Sequence, residues 1–312
     1  MKLKTIVLII IARVIFLVQP TMAQTKVELK KITDSVYSYV GVPAGTPGNA
    51  FSANAGIIIG KDAVLVVDTL TSAKEAETFM ADIQKITHKP IRYVVNTHYH
   101  LDHAFGNNFF TDMGIHIISH SKCRDAIIPG GDKILENPAM FGLPPDFWKE
   151  TRIVAANMAF EREMIIDLGE LTVKLIHSGI KSHSPGSIIV HVLEQNVLFT
   201  GDILFTDFHP YLGEGDLPGW EKNLDLIRAM NVKHIIPGHG PLSANKDLED
   251  MKVYLKIFDK EATELSAVEN DVEKLTSAML KILPKRSNGD FIVPMNLKTR
   301  YLIKNGKEQV KY

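Results

Sequence analysis

The chain has 312 residues and one cysteine, Cys123. A lone thiol excludes an internal disulfide, so the fold must be held by its core. A hydrophobic content of 45% provides for that core. Cys123 is far from the N-terminus, so nothing indicates a lipid anchor on it. It reads as a small half-buried residue. No excess of positive charge exists: 35 Lys and Arg face 36 Asp and Glu, for a formal net charge of −1. That excludes the basic field through which proteins hold nucleic acid. There is no internal repeat and no heptad pattern, so neither a repeat array nor a coiled coil is expected. Oligomeric state is left open. There is no long apolar run either. The longest, Ile6 to Leu17, is short and contains Arg13, which argues against a stable membrane span.

That run has its own reading. Lys2 and Lys4 precede it, and Thr21-Met22-Ala23 follows it. A basic start, an apolar middle and small residues at a cleavage site form a signal peptide. Residues 1–23 are therefore expected to be removed, with the mature chain starting near Gln24. Loss of Lys2, Lys4 and Arg13 makes the mature chain more acidic. The expected destination is the periplasm or the medium. Residues 24–312 are expected to form a single domain, with a core of about 35–245 and a helical extension over 246–312.

Strand-like runs cover 36–40, 55–59 and 63–68, with Gly60-Lys61-Asp62 as a hairpin turn. Over 72–86, Ser72 can cap and Ala76, Phe79, Met80, Ile83 and Ile86 share one helical face. Residues 91–96 and 115–119 read as buried strands. Segment 129–150, with Pro129-Gly130-Gly131 and Pro144-Pro145, reads as an irregular insertion with some helix. Strands follow at 164–167, 171–177, 187–193, 197–200 and 232–236. A helix is expected over about 220–230, and 244–283 reads as mostly helical, in two pieces. Strands alternating with helices predict an α/β fold with two stacked halves. Ligands bind past the strand ends in such folds.

The run His98-Tyr99-His100-Leu101-Asp102-His103 is what packing alone does not explain. Clustered imidazoles repel when protonated and waste hydrogen bonds when buried. A divalent cation relieves both, and histidine with carboxylate suits zinc or iron(II). Three further contexts put a polar residue at a strand end beside a glycine: His183 in Ser182-His183-Ser184-Pro185-Gly186, Asp202 in Thr200-Gly201-Asp202, and His239 in Pro237-Gly238-His239-Gly240. Glycine lets the chain turn sharply there. The chain has 12 histidines, and the others read as ordinary. His116, His120 and His191 read as surface or half-buried, and His88 and His234 as exposed. His177 sits near the site in sequence, and His209 reads as filler that could line the pocket. Tyr99 is expected to pack beside the ligands and Trp220 to anchor a helix.

These four blocks, in this order and spacing, resemble the metallo-β-lactamase-fold hydrolase superfamily over roughly 35–245. The resemblance implies a four-layer αββα sandwich holding two zinc ions. It implies His98, His100 and His183 on the first metal, and Asp102, His103 and His239 on the second. Asp202 would bridge them, and Asp68 would orient a ligand histidine from behind. It implies hydrolysis of an amide, ester or lactone in a small molecule by a metal-bound hydroxide, with Asp102 orienting it or taking its proton. One departure is informative. The best-known zinc β-lactamases carry cysteine where this chain has Asp202. Asp202 instead resembles glyoxalase-II-like, lactonase-like and phosphodiesterase-like branches. The alternatives are a single-iron oxidoreductase like the persulfide dioxygenases, or a non-catalytic metal-binding accessory protein. Gly41–Ala50 reads as a flap over the metals or a plain hairpin connection.

Overall fold

The computed structural model describes residues 27–136 and 143–302. The expected signal segment and residues 137–142 of the expected 129–150 insertion lie outside the described residues.

Two sheets pack face to face. The first runs in the order β1 (Lys30–Lys31), β2 (Val36–Ser38), β3 (Gly56–Ile59), β4 (Val64–Val67), β5 (Ile91–Val95), β6 (His116–His120) and β7 (Met158–Phe160). It is antiparallel up to β4 and parallel from β4 to β7. The second contains β8 (Glu163–Asp167), β9 (Thr172–Ile176), β10 (Ile189–Val192), β11 (Val197–Phe199) and β12 (His234–Ile236). Its β11–β12 pair is parallel and its other pairs are antiparallel.

The burial pattern explains the layers. In β4, Leu65 and Val67 point to the other sheet while Val64 and Val66 point outward, and all four are buried. A strand covered on both faces needs a continuous apolar run. Between the sheets, Ile58, Val67, Val95 and Ile118 meet Val173, Leu175, Val190 and Phe199.

Helix α1 (Ala73–Ile86) covers the outer face of the first sheet with Ala76, Phe79, Met80 and Ile83. Ser72 caps it by accepting from the Glu75 N–H at 3.2 Å, a device worth about 1 kcal/mol. Two short helices follow β5, α2 (Leu101–Ala104) and α3 (Asn107–Asp112). The outer face of the second sheet is covered by α5 (Leu217–Met230), α6 (Asn245–Ser266), α7 (Val272–Ile282) and α8 (Ile292–Asn296). Helix α4 (Ser121–Glu136) lies between β6 and β7 in the chain. The order is helix, sheet, sheet, helix, the expected αββα sandwich.

The segment after residue 244 is part of the outer layer: Leu248, Met251, Phe258 and Leu297 share a core with Trp220, Leu198 and Ile235. Helix α5 starts earlier than expected, because Pro218 sits in its first turn, where a missing N–H costs nothing. The clearest correction concerns Pro129-Gly130-Gly131, which lie inside α4 rather than opening a loop. Tertiary packing outweighs the poor local propensity: a Cβ on Gly131 would meet Ile153 at 2.6 Å, so glycine lets the helix seat closely. His120 is also buried, not half-exposed. Its ring stacks on His177 at 3.9 Å. Among the described residues no helix is long and apolar enough to cross a membrane.

Candidate metal centre

All seven residues singled out as ligands meet at one edge of the sandwich. Asp68 follows β4, His98 follows β5, Asp202 follows β11 and His239 follows β12. β10 is antiparallel to β11, so the turn entering β10 brings His183 to the same edge. His100 stands at the start of α2, which carries Asp102 and His103 in its single turn.

The residues fall into two groups. His98, His100, His183 and Asp202 form one; Asp102, His103 and His239 form the other. Within each group the donor atoms lie within 4.8 Å of one another. Asp202 reaches both. Its Oδ2 is 3.6 Å from His98 Nε2 and 3.4 Å from His183 Nε2. Its Oδ1 is 3.1 Å from His103 Nε2 and 3.4 Å from His239 Nε2. Gly238 permits this position, because a Cβ there would lie 1.9 Å from Asp202 Oδ1. Gly201, at φ +49°, turns the chain directly before Asp202.

The donor set fits divalent cations. His100 Nδ1 is 2.8 Å from His183 Nε2 and 3.1 Å from His98 Nε2. His103 Nε2 and His239 Nε2 are 3.3 Å apart. Such convergence of nitrogens is unfavourable without a shared cation. Asp68, Asp102 and Asp202 are buried, and among the described residues their ion pairs are all with histidines. Asp202 Oδ1 is buried without a well-aligned hydrogen bond. Buried negative charge of this kind calls for cations.

The two groups differ electrostatically. Burial, reinforced by His103, holds His98 well below the ordinary imidazole range. Burial also pushes His183 down to about 3. These imidazoles are neutral, with lone pairs free. Burial opposes charge on His103 and His239 too, but the carboxylates win. Asp202, Asp102 and Asp68 raise His103 well above its usual value, and Asp202 and Asp102 raise His239 to about 9. Asp202 is held well below the carboxylate range by the histidines, against its burial.

Each outward-facing nitrogen is fixed from behind, with one exception. His103 Nδ1 is 2.8 Å from Asp68 Oδ2, which is the orienting role expected for Asp68. Burial pushes Asp68 upward. The Thr97 N–H donates to Oδ1 at 2.7 Å and the Thr97 hydroxyl to Oδ2 at 2.8 Å, bonds that oppose the effect of burial and favour a carboxylate facing a proton on His103 Nδ1. Thr97 Oγ1 is 3.1 Å from His98 Nδ1. His183 Nδ1 is 3.1 Å from the Tyr211 carbonyl. Among the described residues His239 Nδ1 has no hydrogen-bond partner, and its ring stacks on Phe205 at 5.0 Å instead.

His100 is backed by Glu214, which the sequence reading missed. Its Nε2 is 2.7 Å from Glu214 Oε1, and the Tyr99 hydroxyl donates to the same oxygen. Burial would raise Glu214, but the His100 hydrogen bond and charge pull it down to about 2. No local pattern pointed to it: Gly213-Glu214-Gly215 carries no signal of its own. Tyr99 packs on His100 at 4.8 Å, as expected. Trp220 anchors α5 by donating from Nε1 to the Ile203 carbonyl at 2.8 Å, and its ring lies 5.1 Å from His183. His209 is structural: its Nδ1 is 2.6 Å from the Tyr254 hydroxyl. The 41–52 loop is fastened. The Gly41 N–H donates to the Gly240 carbonyl at 2.9 Å, and the Ala50 N–H to Glu75 Oε1 at 2.7 Å. Helix α4 and Trp148 share a small apolar cluster with Phe105, beside Tyr99.

Solved structures share this architecture. A metallo-beta-lactamase from Pontibacter korlensis superposes with a TM-score of 0.58 at 17% identity, covering 74% of this chain and 99% of its own. The DIM-1 metallo-beta-lactamase superposes at 0.57 with 18% identity, covering 74% and 97%. Among curated relatives, the linear primary-alkylsulfatase of Pseudomonas sp. is 22% identical over 62% of this chain, a stretch that spans only 43% of the sulfatase. An acyl-coenzyme A thioesterase of Bos taurus is 23% identical over 60% of this chain and 72% of its own. A type 2 metallo-beta-lactamase of Elizabethkingia meningoseptica is 22% identical over 69% and 79%. The metallo-beta-lactamase superfamily profile matches residues 48–239. With that match across more than half its length, and with both histidine–carboxylate groups inside it, the chain belongs to the metallo-beta-lactamase superfamily.

Proposed function

We propose that this protein is an exported, periplasmic or secreted, di-zinc hydrolase that cleaves an amide, ester or lactone bond in a small molecule. One observation carries the two-metal reading: the two oxygens of Asp202 divide between the two ligand groups. The nitrogen and oxygen donors suit zinc. When bound, such a metal pair polarises a carbonyl and lowers the pKa of a water to about 7.

The chain's own groups do the rest. His98, His100 and His183 offer nitrogens on one side of Asp202, and His103 and His239 offer theirs on the other once metal displaces their extra protons. Asp102 Oδ2 lies 3.2 Å from His239 Nε2 and 3.5 Å from His103 Nε2. From there its carboxylate orients the attacking water and accepts its proton. The water oxygen adds to the carbonyl carbon, the bond to the leaving group breaks, and Asp102 returns the proton to that group. The thioesterase and β-lactamase names among the relatives support an acyl substrate. The N-terminal segment supports export.

The test is zinc analysis together with hydrolysis of a chromogenic cephalosporin, an aryl ester, a lactone and an acyl thioester, with His100→Ala as control. Two zincs per chain and turnover of any of these, lost in the variant, support the reading. One iron per chain would favour the dioxygenase-like chemistry instead. Two zincs with no acyl turnover would overturn the substrate class.

A further inference from the structure

We propose that Glu214 is a positioning residue that selects which nitrogen of His100 faces the first metal position. This rests on the reading that the first group binds metal. His98, His103, His183 and His239 all present Nε2 to the site. His100 alone is reversed. Its Nδ1 points in, 2.8 Å from His183 Nε2, and its Nε2 points out, 2.7 Å from Glu214 Oε1.

A carboxylate can only accept, so Nε2 must carry a proton, and Nδ1 is the nitrogen left to offer a lone pair to a metal. Without that partner the ring is free to hold its proton on Nδ1, or to flip and present the other nitrogen. His100 is also the most exposed of the five, its side chain at 15%, whereas the others are at 4% or less. The ligand with the least packing around it has the carboxylate brace. Tyr99 completes the clamp by donating its hydroxyl to the same oxygen and laying its ring against His100. Glu214 lies on the loop before α5, so the clamp ties the second half of the chain to the histidine run of the first.

Three substitutions separate positioning from charge and from folding. Glu214→Ala removes the acceptor. Glu214→Asp keeps the charge but withdraws the oxygen by about one bond, ~1.5 Å. Glu214→Gln keeps an acceptor oxygen in place. Zinc affinity is measured by chelator competition on the metal-free protein, and the melting temperature of the metal-free protein is recorded beside it. The expected result is that Glu214→Ala and Glu214→Asp weaken one of the two zincs about 10–100-fold and leave the other unchanged. Glu214→Gln stays within a few-fold of the parent, and the metal-free melting temperatures agree. Wild-type affinity in the alanine variant would overturn the proposal. So would wild-type affinity in Glu214→Asp, since charge alone would then suffice, or equal weakening of both zincs. A parent protein that binds no zinc would overturn the metal reading, and the proposal with it.

Discussion

The two ligand groups share Asp202 but are supported from behind in opposite ways. The second group is sealed. His103 and Asp68 are buried, and two donors from Thr97 hold the carboxylate. The first group is open at one corner, where Glu214 backs His100 with 31% of its side chain exposed. Asp68 sits on backbone at φ +62°, a left-handed conformation that is unfavourable for a residue with a side chain. The strain is offset by the bonds Asp68 makes. Thr97 also extends its reach: with Asp68 accepting the Thr97 hydroxyl proton, Thr97 Oγ1 can accept from His98 Nδ1. Asp68 therefore supports one histidine in each group, and Glu214 supports one in the first only. A deep brace couples site geometry to fold stability; a rim brace does so far less.

The strongest way to break this comparison is to remove what the groups share. Asp202→Ala should leave at most one zinc bound and cut turnover by more than about 10²-fold, exceeding the loss expected from an outer partner. Zinc analysis and initial rates check it. Two zincs retained would mean that the groups are independent.

Next come the two braces. Asp68→Ala strands a buried Thr97 N–H and should destabilise the metal-free protein by about 1–3 kcal/mol. Glu214→Ala, at the rim, should cost less than about 1 kcal/mol. Urea unfolding of both variants gives the difference. Equal losses would erase the distinction between deep and rim support.

A third measurement sharpens the electrostatic contrast. His103 and His239 are raised, the latter to about 9, so both hold extra protons at pH 7. Metal must displace these protons, so affinity at the second group should rise with pH at least up to about 9, where His239 gives up its proton. His98 and His183 are depressed, so metal meets these two already deprotonated, and the first group should release fewer protons than the second. Calorimetry in buffers of different ionisation heat reads the protons released. Equal release from both metals would refute the contrast. The smallest effect belongs to Thr97→Val, which removes the hydroxyl link and should cost about 0.5–1.5 kcal/mol by the same unfolding measurement.

Much of this was legible in the sequence, for local reasons. The His98–His103 run places its donors within one short stretch, so chemistry and spacing appear together. Asp68 was legible only through the family resemblance, which its place at the end of an apolar strand matches. Ser72 and the spacing of Ala76, Phe79, Met80 and Ile83 gave α1 its start and its buried face. Helix α4 was not legible, because Pro129-Gly130-Gly131 argues locally for a break. The fit of Gly131 against Ile153 decides otherwise. β7 was missed because three residues, Met158–Phe160, are too few to show alternation. Glu214 was missed because its partner is 114 residues away.

By itself, then, the sequence determined which kinds of donor the chain owns, their order, and the alternation that builds two sheets between helices. Those are properties of residue type and near-neighbour spacing. Only the tertiary structure decided that Asp202 turns one oxygen to each group, that His100 faces inward through Nδ1, and that Glu214 stands behind it. Those depend on side-chain direction and on contacts across the two halves of the chain. They are set when the sheets close on each other, and no local pattern encodes them.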